Sequence, residues 1–408
     1  MESFHLKDNL LNSLAKKYET PLFVYNGDLI KQRYTDLFKF IKWPKLKIFY
    51  AMKANYNIEI LKLLKNEGAG LDTVSPGDII LALKIGFSPS SMIYTANNIT
   101  DEEMRLVKSK GVLFNIGELS RLEKYAKEFP NTDVCIRFNP EVVAGDSDKT
   151  KTAGALSKFG ILMEDVPRVV EIAKKHNLRI IGLHSHTGSG IADKEKYIQA
   201  MKNIMGIASA KDFPDLQFMD FGGGFKVPYE PDEHRIDYVK FGQEITQLFS
   251  EHCKKYGREL GLYFEPGKYM VAESAYLLVE VNTIRNNRGR IIVGTNSGFP
   301  QLIRPTYYGA YHHIVNVSNP KGAQQKYDIY GNICEGGDVF AKERELPKIR
   351  EGDVLAIQNA GAYCYAMGGV YNLRPMPAEV MIASGKDYLV RRRLSFEELA
   401  AQIIGESK

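Results

Sequence analysis

Lys47-Ile48-Phe49-Tyr50-Ala51-Met52-Lys53-Ala54-Asn55 is an apolar, aromatic run that closes on a lysine. Its first six residues read as a buried strand. Lys53 then sits at the strand end, where burying an ammonium costs several kcal/mol unless its pKa falls or it becomes covalently engaged. A lysine so placed is a candidate Schiff-base former. The competing reading is a side chain that runs along apolar surface and keeps its head in water.

The same texture recurs down the chain. Strand candidates fall at 47–52, 71–74, 92–95, 112–114, 134–138, 179–184, 217–221 and 262–265, with amphipathic segments at 58–66, 101–110, 116–127, 165–176, 194–210 and 238–256. Eight βα repeats fit an α/β fold of the closed (β/α)8, TIM-like kind, typically about 250 residues long. An open doubly wound sheet is the alternative, but no G-x-G-x-x-G follows the first strand. Beyond residue 265, short alternating runs at 275–281, 290–293, 327–329, 353–358, 379–382 and 388–391 are separated by Gly, Pro and Asn. They predict a mostly antiparallel C-terminal β domain. A further strand at 19–25 follows an amphipathic helix at 6–17. The domain reading is therefore a barrel over 30–275 and a β domain over 276–408, joined by the N-terminal segment 1–29.

Composition narrows the function classes. The 408 residues are 44% hydrophobic and 25% charged, ordinary for a globular chain. A net charge of +5 is spread over 54 basic and 49 acidic side chains. The short run Arg391-Arg392-Arg393 reads as a solvated patch, so no nucleic-acid partner is expected. No basic segment leads into an apolar one at Met1-Glu2-Ser3-Phe4-His5, and no apolar run is long enough to span a bilayer. A cytoplasmic protein with no membrane contact is the expectation. Cys135, Cys253, Cys334 and Cys364 are widely spaced, which suggests neither a disulfide framework nor a metal site.

Barrel enzymes carry their chemistry at the C-terminal strand ends. Reactive residues fall there repeatedly: Lys53 after the first strand, Asp72 and Ser75 at the second, Asn115 and Asn139 at the fourth and fifth. His184-Ser185-His186-Thr187-Gly188-Ser189-Gly190 ends the sixth, Gly222-Gly223-Gly224 the seventh and Glu265-Pro266-Gly267-Lys268 the eighth. Three glycines let backbone N–H groups converge on an anion, with Ser189 as an added donor, although a tight turn needs the same freedom. A phosphate cradle, a Schiff-base lysine, an imidazole at His186 and a carboxylate at Glu265 together describe a pyridoxal phosphate site. Lys53 would hold the aldehyde, the glycines and Ser189 the phosphate, His186 the ring face and Glu265 the pyridine nitrogen. Taken singly, Glu265 reads equally well as an ion-pair partner and His186 as a satisfied polar residue. In the second domain, Arg304 offers a fork suited to a carboxylate, and Cys334-Glu335-Gly336-Gly337-Asp338 places a thiol and two carboxylates in a glycine-rich turn. Tyr363, Tyr365 and Tyr371 add phenols.

These segments, with Ser157-Lys158-Phe159-Gly160, resemble the fold type III, alanine-racemase-like family of pyridoxal phosphate-dependent enzymes, nearly end to end. The resemblance implies a barrel plus β domain assembled as a head-to-tail homodimer with active sites at the interface. It implies that Cys334, Glu335 and Asp338 reach the partner subunit's cofactor while Lys53 acts on its own side. Gly267 and Tyr363 join the cofactor set, Tyr363 at the phosphate. The activity implied is decarboxylation of meso-diaminopimelate at its D-centre to L-lysine, with Arg304, Tyr308, Glu335, Tyr371 and Lys268 on the substrate. A related decarboxylase acting on ornithine, lysine or a carboxylated polyamine is the alternative, against which Arg304 argues because a guanidinium facing an ammonium tail is poorly paired. The chain departs from the family pattern at Lys268, where arginine is usual, at Gly336 in the cysteine turn, at Gly368-Gly369-Val370 and at Asp78. These changes bear on the substrate more than on the cofactor.

Overall fold

A computed structural model describes residues 6–145, 149, 152–154 and 157–405; the Met1–His5 stretch read above lies outside them. Strand β1 (Leu22–Asn26) comes first. Strands β2 (Leu46–Ala51), β3 (Gly70–Thr73), β4 (Met92–Tyr94), β5 (Leu113–Ile116), β6 (Asp133–Arg137), β7 (Arg179–His184), β8 (Phe218–Asp220) and β9 (Gly261–Phe264) close into a parallel barrel, sealed where Leu46 pairs with Leu262. Each of the eight expected strands is present, shifted by no more than two residues at either end.

Period-two alternation positions the site. Phe49, Ile93, Cys135 and Phe218 point inward and fill the barrel floor, where the Phe218 and Tyr263 rings stack at 4.4 Å. One layer further along β3 to β8, the same inward face carries polar groups: Asp72, Thr95, Asn115, Arg137, His184 and Asp220, all buried. An apolar plug thus lies beneath a charged layer at the C-terminal ends. Several of the helices between strands start on side-chain caps, such as Ser75 Oγ on the Asp78 N–H and the Thr100–Glu103 capping box. Asp78 in turn accepts from the Val74 N–H at 2.9 Å, which gives this departure from the family pattern a local structural job.

The second sheet gathers β1 with β10 (Ala275–Asn287), β11 (Arg290–Thr295), β12 (Ile314–Asn316), β13 (Gln324–Tyr330), β14 (Val339–Pro347), β15 (Val354–Ile357), β16 (Ala378–Ala383) and β17 (Lys386–Arg391). It is mixed: β1–β16 and β11–β13 pair in parallel and the other pairs are antiparallel. β1 lies between β10 and β16, so Leu22–Asn26 form part of this sheet. Helices Gly27–Phe40 and Pro76–Lys84 and strands β12 and β14 are additions to the sequence reading. β14 carries Lys342-Glu343-Arg344-Glu345 at a sheet edge, where charges blunt edge pairing and erase the alternating signal. The run Arg391-Arg392-Arg393 is paired within the chain, to Glu379, Glu398 and Glu19 respectively.

The sheet reaches the barrel mouth through residues 361–363. Asn55 Nδ2 donates to the Gly361 carbonyl at 3.0 Å and the Tyr363 N–H donates to the Ala54 carbonyl at 2.8 Å, so the turn carrying Lys53 is clasped from above. A Cβ on Gly361 would lie 1.7 Å from the Val271 carbonyl oxygen. Gly361→Ala is expected to destabilise the protein by about 3 kcal/mol, the upper end for overpacking, and to weaken cofactor retention. Chemical denaturation with cofactor absorbance checks this; an unchanged midpoint would show that the clasp is loose.

Candidate active site

The charged layer and the clasp enclose a cavity lined by Lys53, His186, Ser189, Gly223, Glu265 and Tyr363, with Gly224, Gly267 and Lys268 also on its wall. Residues separated by more than three hundred positions in sequence therefore meet in one place. Lys53 is not deeply buried: its side chain is 41% exposed, at the cavity, and its Nζ lies 2.5 Å from Asp72 Oδ2. Burial acts to lower the ammonium's pKa, but the charges of Asp72, Tyr363 and Glu265 and the hydrogen bond to Asp72 act against it and win, so the pKa lies above its ordinary value. Of the outcomes open to a lysine at this strand end, a lowered pKa is not the one found. Burial and neighbouring Glu265 push Asp72 up to about 6, against the pull of Lys53.

Below the cavity, His184 Nε2 is 2.9 Å from Glu265 Oε2. Burial and Arg137 hold His184 far below its usual range, so the neutral ring donates Nε2–H to the carboxylate. Burial pushes the Glu265 carboxyl up, opposed by Lys53 and Arg137. Burial and the proximity of Glu265 also push Asp220 up, although its Oδ1 accepts from the Gly222 N–H at 2.8 Å. Glu265 Oε1, Asp72 Oδ1 and Asp220 Oδ2 are buried without a hydrogen-bond partner, so the layer holds acceptor capacity the protein itself leaves unmet. His186 is held neutral by burial and Arg137, and its Nδ1 accepts from the Gly223 N–H at 3.2 Å. That bond fixes the ring on the cavity wall. It also means that two N–H groups of the glycine run, those of Gly222 and Gly223, are already engaged.

The C-terminal cluster divides. Arg304 is buried, with Nη1 3.2 Å from His312 Nε2 and its guanidinium carbon 4.4 Å from the centroid of Tyr229. Arg304, Tyr308, Tyr229 and Gly190 line a second cavity that adjoins the first, since Ser189 and Lys268 wall the first and Lys268 lies 5.8 Å from the same Tyr229 ring. Cys334, Glu335 and Tyr371 are instead exposed: Tyr371 Oη donates to Glu335 Oε1 at 2.8 Å and the Cys334 N–H to Asn372 Oδ1 at 3.0 Å. Among the described residues, none of their hydrogen bonds joins them to the Lys53 cavity. Asp338, expected with them, is buried and accepts from the Ile333 and Phe299 N–H groups at 2.7 and 2.6 Å. Its carboxylate shapes the turn and is not presented at the surface. The other three cysteines are buried.

Asn115 and Asn139 prove to be local ties, to Thr95 and to Gly154 and Glu141. Asp72, Arg137, Asp220, Tyr229 and His312 had been given no role. Arg137, a charge inside an apolar strand, carried the same signal as Lys53; Tyr229 lies in a segment with no periodicity and carried none.

The pyridoxal binding domain of the pyridoxal-dependent decarboxylases matches residues 28–272, which span the barrel and every residue of the cavity wall named above except Tyr363. The chain belongs to this family. It is 40% identical to the diaminopimelate decarboxylase of Methanothermobacter thermautotrophicus over 95% of this chain and 92% of that one. With the diaminopimelate decarboxylase of Escherichia coli K12 it shares 32% identity over 97% and 96%. The crystal structure of diaminopimelate decarboxylase from Helicobacter pylori complexed with L-lysine superimposes with a TM-score of 0.89 at 30% identity, covering 97% of this chain and 99% of that one.

The decarboxylase site fits pyridoxal phosphate on its own terms. An amine at the cavity, an unmet buried carboxylate oxygen on Glu265 and an imidazole wall suit a protonated heteroaromatic aldehyde. A Cβ on Gly223 would come within 2.6 Å of the Glu265 carbonyl oxygen, and one on Gly224, at φ +99°, within 2.9 Å of the Gly188 carbonyl oxygen. Only glycine leaves this corner open for an anion. Among the described residues, His184, Asp220 and Glu265 also bring ligand atoms within 4.8 Å of one another, but the positive charges of Lys53 and Arg137 act on the same carboxylate and repel a divalent cation.

Proposed function

We propose that this protein decarboxylates meso-diaminopimelate at its D-centre, giving L-lysine and carbon dioxide. The observation that carries the reading is the buried Arg304 guanidinium in the cavity adjoining the Lys53 cavity, set to meet a second carboxylate on the substrate. When bound, pyridoxal phosphate supplies an electron sink for the pair left as the carboxylate departs. Lys53 would hold its aldehyde carbon, and Asp72, 2.5 Å away, would position the amine at the cavity. Glu265, steadied by the His184 Nε2–H, would face the ring nitrogen and keep a proton there. His186 would cover the ring face, while Gly222, Gly223, Gly224, Ser189, Gly267 and Tyr363 would surround the phosphate. Arg304, Tyr308 and Lys268 would hold the far amino-acid end and so fix which carboxylate lies at the reacting end. Release of carbon dioxide and L-lysine from meso-diaminopimelate by purified holoenzyme tests the reading.

Cys334, Glu335 and Tyr371 would complete the site of a second copy. Their exposure and their shared hydrogen-bonded cluster support a homodimer with two shared sites. The reading takes 30–275 as the cofactor-binding barrel and 276–408 with 1–29 as the β domain. It places the enzyme in the cytoplasm without a nucleic-acid partner; among the described residues no helix is long and apolar enough to cross a membrane. Mixing inactive Lys53→Ala chains with inactive Cys334→Ala chains is expected to restore about a quarter of wild-type activity, because in a mixed dimer one of two sites inherits both intact groups. Proven heterodimers without activity, or a fully active Cys334→Ala enzyme, would contradict the shared site.

A further inference from the structure

Arg304 is seated by two side chains to which neither the sequence reading nor the proposed mechanism gives a task. His312 is completely buried. Its Nδ1 lies 2.8 Å from the Gln358 carbonyl oxygen, which can only accept, so Nδ1 carries the proton. Nε2 is then a lone-pair acceptor, 3.2 Å from Arg304 Nη1. Tyr229 closes the seat: Arg304 lies over its ring face at 4.4 Å, and the His312 ring meets it edge-on, at 5.4 Å and 84°. Burial and the Arg304 charge lower His312 to about 3, consistent with a ring that stays neutral while it accepts from a guanidinium.

This arrangement fixes the plane and rotation of a planar fork. A bidentate pair with a carboxylate depends on both, because its two hydrogen bonds run parallel in one plane. Arg304 starts the short helix Arg304–Tyr308, and its long side chain would otherwise sample many rotamers in the cavity beside it. Lys268, which shares the Tyr229 ring, brings a charge but no directional fork.

We propose that His312 is a positioning residue for specificity: by accepting from Nη1 in a single tautomer it aims Arg304 at the distal carboxylate of the substrate. The inference rests on the meso-diaminopimelate reading, and the test separates the two. The holoenzyme is assayed with meso-diaminopimelate and with D-lysine, which keeps the reacting D-centre and lacks the distal carboxylate, and L-lysine is measured as a product inhibitor. If wild type turns over D-lysine as readily as meso-diaminopimelate, the substrate reading fails before any variant is made. In His312→Phe, which keeps a ring and removes the acceptor, KM for meso-diaminopimelate and the inhibition constant of L-lysine should each rise by roughly tenfold or more, with kcat changed by less than about threefold. The kcat/KM for D-lysine should hold. His312→Gln, whose Oε1 can accept from Nη1, should recover most of the loss. Equal losses on the two substrates, or an unchanged KM for meso-diaminopimelate, would overturn the proposal. Should His312→Phe fail to fold by cofactor absorbance and thermal unfolding, Tyr229→Leu takes its place: a loss confined to meso-diaminopimelate and L-lysine supports the seat, and an equal loss overturns it.

Discussion

Lys53→Ala is expected to remove nearly all turnover, at least ~10³-fold, while the protein still folds. The chemistry requires an amine at the cavity; of the two lysines that line it, Lys53 is the one set against the buried carboxylate of Asp72, whereas Lys268 lies toward the Tyr229 ring of the adjoining cavity. The side chain projects from the turn Met52–Ala54 and is partly exposed, so truncating it removes little packing. Its loss also takes away the cation that pulls Asp72 down; that buried carboxyl then rises above its present value of about 6 and can take up a proton near neutral pH. The fold is spared an unpaired buried charge. The visible absorbance of the holoenzyme should change with the substitution and the thermal midpoint should not fall far. A normal spectrum with normal activity would refute the assignment of the site.

Arg304→Ala should cost roughly a hundredfold or more in kcat/KM for meso-diaminopimelate, since about 2.7 kcal/mol corresponds to that factor and each charge-assisted hydrogen bond is worth about 1.5–3 kcal/mol. Arg304→Lys keeps the charge and loses the fork, so it should recover only part of the loss. The side chain is buried against Tyr229 and His312, and its removal leaves a space as well as a missing charge. D-lysine separates the two effects. A substrate that never touches the fork feels only the packing defect, so its kcat/KM should fall far less. Equal losses on both would make Arg304 a structural residue and remove the physical support for a substrate with two carboxylates. Cofactor retention should be unaffected, because Arg304 lies in the adjoining cavity and not on the wall of the first.

What could be read in advance follows from how local each signal is. The barrel announced itself because eight buried strands are short apolar runs, and the strand at 179–184 matches β7 at both ends. The strand-end positions of Asp72 and His184 were legible for the same reason, although no role was read for Asp72 and Asp220 was not singled out: alternation places all three on the inward face, and the fold then brings them together. Lys53 was found in sequence but its electrostatics were not, because Asp72 lies nineteen residues away and its 2.5 Å contact exists only across two paired strands. The seat of Arg304 was invisible, since Tyr229, His312 and the Gln358 carbonyl come from three unrelated segments. Asp338 misled: a carboxylate in a glycine-rich turn looks available, yet here the turn folds around it and uses both oxygens. β14 was missed because its charges suit an edge and hide the strand period.

The central claim is tested most directly by measuring carbon dioxide release and the amino-acid product from purified protein, with and without added pyridoxal phosphate, on meso-diaminopimelate, D-lysine, L-lysine and L-ornithine in parallel. The account expects pyridoxal phosphate-dependent release of carbon dioxide from meso-diaminopimelate, with L-lysine formed in equal amount and the other three substrates far slower. Faster release from L-ornithine or L-lysine, or release that does not depend on pyridoxal phosphate, would contradict it.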